Sequence, residues 1–71
     1  MGITEDIADE LAQEALAQEY RLDDESIVKK VSETLGATST TTQEAFLTAI
    51  RVRRSQARAL KFLAEVAERQ P

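Results

Sequence analysis

Three groups of residues in this chain carry functional side chains close enough together to act jointly. They are the acidic triplet Asp23-Asp24-Glu25, the hydroxyl run Thr38-Ser39-Thr40-Thr41-Thr42, and the arginines Arg51, Arg53 and Arg54, with Arg58 a turn later. The triplet lacks the spaced ligands and the turn glycine of a calcium loop. Carboxylates just ahead of a helix serve instead as a cap and as a complement to the helix dipole. The hydroxyl run suits a turn that ends in a helix cap. The arginines suit a solvated helix face or a face offered to a partner. There is no His and no Cys, which removes the commonest general base, thiol nucleophiles and thiolate metal sites. Catalysis would then rest on carboxylates or a lysine in a pocket, and a chain of 71 residues forms few pockets. The inventory points to a binding module rather than an enzyme, with no cofactor and no metal implied.

The elements that must position these groups are helical. Ala, Leu, Glu, Gln and Arg dominate, with only two Gly and one Pro, so an all-α or nearly all-α small helical domain is expected. Thr4 is a candidate N-cap, and Ile7, Leu11 and Ala15 form a thin apolar stripe beside Ala8 and Ala12 over residues 5 to about 17. Residues 18–22 continue that helix or form a short strand, since Tyr20 and Leu22 alternate with Glu19 and Arg21. A lone strand would need its copy from a second chain. Asp23 is the next candidate cap, with Leu22 and Ile27 as a hydrophobic staple. Ile27, Val28, Val31 and Leu35 then keep one face up to Gly36, which suits the left-handed position past a helix end.

Thr41 and Glu44 have capping-box spacing. From Glu44 to Arg69 nothing breaks the helical pattern. Such a helix is roughly 39 Å long, more than a domain this small covers, so its C-terminal half projects from the core or bends. The alternative is that it folds back on the first helix. The domain reading is an acidic helical extension at 1–17, a core at 18–54 and an amphipathic basic tail helix at 55–71.

The net charge of −4 conceals an asymmetry. The first 25 residues hold nine acids and one base, whereas from Glu44 onward six bases face three acids. The halves pair within a dimer, serve two partners, or are two solvated helix faces. No apolar run reaches the roughly 20 residues of a membrane span, and the N-terminus has no basic and apolar leader pattern. A cytoplasmic protein is expected.

The pattern that starts at Arg21-Leu22-Asp23-Asp24-Glu25 and passes through Gly36-Ala37-Thr38, Thr41-Thr42-Gln43-Glu44-Ala45 and Arg51-Val52-Arg53-Arg54 to Ala59-Leu60-Lys61-Phe62-Leu63-Ala64 resembles VapB-type antitoxins of the ribbon-helix-helix class. The resemblance covers residues 20 to 69. It implies a homodimer with one short strand per chain, whose paired strands enter the DNA major groove, and a C-terminal tail that blocks a PIN-domain ribonuclease toxin. On that reading Glu19 and Arg21 point outward to operator DNA, while Tyr20 and Leu22 face the dimer core. Thr38, Ser39, Thr40 and Thr41 hold a phosphate at a helix N-terminus. Arg51, Arg53, Arg54 and Arg58 lie near the toxin, where arginine forks pair with the carboxylates of a nuclease site. Leu60, Phe62, Leu63 and Val66 supply the apolar grip.

Two other readings stand beside it. One is a helical adaptor or regulatory subunit whose acidic N-terminal helix binds a basic partner. The other is a nucleic-acid module that uses the basic helix, for which affinity would fall steeply with salt.

Overall fold

The computed structural model describes residues 2–69; Met1 lies outside the described residues, as do Gln70 and Pro71, which end the tail segment 55–71. Three helices make up the fold: α1 (Ile3–Leu22), α2 (Ser26–Gly36) and α3 (Thr40–Ala67). The all-α expectation holds, and no strand occurs among the described residues. Residues 18–22 are helix, so the strand and the two-chain ribbon are not formed. The physical reason lies at Glu19. Its side chain reaches across to α2 and α3 and ties the last turns of α1 to both.

α1 opens at Gly2, whose extended backbone forms the N-cap without a side-chain bond, rather than at Thr4. Glu5 and Asp6 occupy its first turn, where negative charge complements the helix dipole. The buried stripe is Ala8, Ala12 and Ala15, each no more than 2% exposed, whereas Ile7 stands 45% exposed. The core face is thus turned toward the alanines, which have no bulk to hold neighbouring helices apart. α1 therefore joins the core through Ala8, Ala12 and Ala15. α1 stops at Asp23, which adopts left-handed dihedrals of φ 51° and ψ 48°. An acidic residue tolerates that conformation better than most non-glycine residues.

Capping falls at other residues than the spacing predicts. Asp24, not Asp23, supplies the side-chain bonds at the start of α2, one residue ahead of its N-cap Glu25. Asp24 Oδ1 accepts from the Ser26 backbone N–H at 2.9 Å and from the Ser26 hydroxyl at 2.6 Å. Ser39, not Thr41, caps α3. Its Oγ accepts from the Thr42 N–H at 3.1 Å while its hydroxyl donates to Thr42 Oγ1 at 2.9 Å. Thr42 takes the place that Glu or Gln fills in a capping box. Gly36 is not left-handed; no glycine has positive φ. It is the last residue of α2, and a Cβ there would come within 2.5 Å of Gln43 Nε2. That amide donates to the Ser32 carbonyl at 2.9 Å and to Ser32 Oγ at 3.3 Å. Gly36 therefore admits the side chain that ties α3 to α2 and satisfies the buried hydroxyl of Ser32.

Phe46 is fully buried and Ile50 is 2% exposed, and both pack with the three alanines and Val28. Ile27, Val31, Leu35 and Leu47 close the rim. Beyond this cluster α3 continues alone, and every residue from Arg54 to Arg69 is exposed. The helix is about 42 Å long, and the molecule is correspondingly elongated, 53 × 30 × 13 Å. The tail projects and does not fold back. Phe46→Ala is expected to cost about 3–5 kcal/mol, comparable to the whole stability of a domain this small. Thermal denaturation followed by circular dichroism should show a lost or grossly lowered transition. A midpoint close to wild type would mean that Phe46 is not the centre of the core.

Candidate functional site

Of the residues the resemblance places on DNA, Glu19 is turned inward. Its side chain is only 12% exposed. Oε2 accepts from the Val28 N–H at 3.0 Å, and Oε1 accepts from Arg54 Nη2 at 3.0 Å. One carboxylate therefore satisfies an orphan N–H in the first turn of α2 and holds α3, so α1, α2 and α3 meet on it. Arg21 is exposed and donates to Gln18 Oε1 at 2.8 Å. Tyr20 is 92% and Leu22 51% exposed, on the last turns of α1 and not on a strand. Thr38, Thr40 and Thr41 are exposed in the α2–α3 turn and the first turn of α3, and Ser39 already spends its oxygen on the cap.

The four arginines split into two pairs. Arg53 forms a forked bond with Asp9, Nε to Oδ1 at 2.7 Å and Nη2 to Oδ2 at 2.8 Å. Arg54 is held by Glu19. Arg51 and Arg58 are exposed. The acidic and basic segments therefore pair inside one chain, at the last turn of α3 before it leaves the core. The Arg53 hydrogen bonds and charge hold the Asp9 carboxyl below its ordinary value of 3.8, with help from Gln13. The Ser26 bonds lower Asp24 in the same way.

Beside this clamp Val52 is 62% exposed, and past it the apolar side chains of α3 lie open: Leu60 is 58%, Phe62 55%, Leu63 57% and Val66 37% exposed. The four residues expected to form the grip stand on this projecting rod. Nearer the core, Ala45, Thr48, Ala49 and Val52 line an open depression of about 380 Å³, with Glu5 and Asp9 of α1 at its rim. Attention to single clusters missed this hollow; its signal was the run of small residues on one face of the first half of α3.

Family models, curated proteins and solved structures were compared with the chain, and none matches. No helix of the described residues is long and apolar enough to cross a membrane.

The sign of the pH dependence follows from the clamp. Asp9 and Asp24 titrate lower in the folded than in the unfolded chain. The stability they contribute is thus present above the ordinary carboxylate value and is lost as pH falls through the folded values. Asp9→Asn should leave less stability to lose on acidification. Urea midpoints measured between about pH 6 and pH 2 should fall less steeply in the variant. Parallel slopes would show that the Asp9–Arg53 fork does not couple to folding.

Proposed function

We propose that this protein captures a protein partner through the projecting half of α3, and that the partner is a PIN-domain-type ribonuclease toxin. The observation that carries the reading is the exposure of Leu60, Phe62, Leu63 and Val66 on a stretch of helix that no other element among the described residues covers. An amphipathic helix presented in this way docks in an apolar groove through anchors at i, i+3 and i+4 spacing. The exposed Arg58, one turn ahead of Phe62 and on the flank of the rod away from Leu60 and Leu63, supplies a fork for acidic groups at the edge of such a groove. The VapB resemblance supports the choice of partner. Operator binding drops out of the reading, because the strand that would enter the groove is helix and Glu19 is committed to Val28 and Arg54.

The adaptor reading is favoured by a separate observation. Asp6, Glu10 and Glu14 are exposed and recur every fourth residue along α1, a ridge of like charge that suits a basic partner.

Leu60→Glu with Leu63→Glu should abolish inhibition of a co-encoded ribonuclease while leaving the helical signal intact, since both residues are exposed in the folded chain. Single-turnover RNA cleavage with purified protein is the readout. Inhibition that survives the double substitution would move capture off the tail. Loss of capture on Glu10→Lys with Glu14→Lys, with the tail variant still binding, would favour the adaptor.

A further inference from the structure

α3 carries a second apolar line, which starts at the edge of the core, where Ala45 and Ala49 are partly buried against it, and runs on to exposed positions. Ala45, Ala49, Val52, Gln56, Ala59, Leu63 and Val66 recur at alternating spacings of four and three. That is the seam of a coiled coil sustained over three heptads. It runs without a break from the folded body into the projecting tail. Leu60 and Phe62 widen it on either side. Its charged neighbours Arg51, Arg58, Lys61 and Glu65 lie toward the opposite face of the helix.

The two halves of the seam differ in size. In the body half the residues are small, and Ala45, Thr48, Ala49 and Val52 bound the depression beside α1. These four stand at i, i+3, i+4 and i+7, the positions that make one hole in knobs-into-holes packing. The tail half carries the large side chains. Gln56, the one polar member of the seam, lies between the halves.

From this we infer that the occupant of the face is a second copy of the same chain, paired antiparallel along α3. Laid antiparallel with a two-fold axis between Gln56 and Ala59, Val66 of one copy enters the hole at Ala49 of the other, and Leu63 meets Val52. Each large half covers a small half, and both tails are covered at once. A parallel pairing would set large on large at one end and leave the depression empty. Gln56 near the axis pairs with polar atoms of the other copy and sets the register, as a lone polar seam residue does in coiled coils. The exposed apolar side chains amount to roughly 500 Å² per chain, in the range of the largest, often functional, patch on a monomer. The pair therefore covers roughly 1,000 Å² before its alanines are counted, the area a specific interface must clear. The inference stands without the ribonuclease reading. Where both hold, capture of a partner competes with self-pairing.

The test uses the full chain alone. Sedimentation equilibrium at micromolar concentration should give twice the chain mass of 7.9 kDa, and Leu63→Glu should return it to the monomer with its helical content unchanged. The chain has no cysteine, so introduced thiols report geometry cleanly. Gln56→Cys should form an intermolecular disulfide on mild oxidation. A mixture of Ala49→Cys and Val66→Cys chains should form the mixed disulfide. Val66→Cys alone should not, because its two copies lie about 25 Å apart along the axis. A monomer at every concentration, as expected if the face is reserved for a different protein, overturns the proposal. So does efficient self-linking of Val66→Cys, which would mean parallel pairing.

Discussion

The structure depends on how little apolar surface its core contains. The buried apolar residues are three alanines, one valine, one phenylalanine and one isoleucine. Alanine brings helix backbones close together but removes little area from water. α1 therefore lies against Phe46 and Ile50 with nothing longer than a methyl group from its own buried stripe. A contact of that kind is strong in packing and weak in area. The fold compensates at its edges with polar ties, each placed where a helix end or a helix exit needs one.

Those ties divide the work by element. Asp24 and Ser39 satisfy the starts of α2 and α3 from their own sequence neighbourhoods. Glu19 and Gln43 act across the fold. Glu19 caps the first turn of α2 from the end of α1, and Gln43 holds the buried Ser32 from the first turns of α3. Losing either would leave a polar group unpaired at a helix interface, which costs more than the bond is worth. The absence of a long side chain at Gly36 is part of the same arrangement, because Gln43 occupies that space.

Much of this was legible in the sequence. The three helical patterns, the exit of α3 from the core and the open tail followed from period and length alone, because a continuous helix of that length exceeds the domain. The caps were misplaced by one or two residues. Asp, Ser and Thr stand in runs around both turns, and adjacent candidates are chemically equivalent until backbone dihedrals choose among them. Residues 18–22 were ambiguous for a different reason. Tyr20 and Leu22 alternate with charged residues, which reads as a strand, yet helical pairing is decided by Glu19 reaching Val28 and Arg54 in the tertiary structure. The family resemblance put the carboxylate on the outside, whereas in the fold it joins three helices. The alanine stripe was visible, but the larger Ile7 drew the core face to the wrong side.

The charge asymmetry takes on a structural meaning at the point where α3 leaves the body. Arg53 and Arg54 are consecutive, so their side chains leave the helix about 100° apart. Asp9 takes one and Glu19 the other, from sites ten residues apart on α1. Two grips at that angle oppose rotation of α3 about its own axis as well as translation along it. A helix held in this way presents the residues of its next turns in a fixed direction. The side chains at 56, 59, 63 and 66 therefore emerge as one oriented line on a rigid rod. Two of the six acids of α1, Asp9 and Glu19, act as internal counter-ions for the helix that carries that line, and the line itself is free of charge.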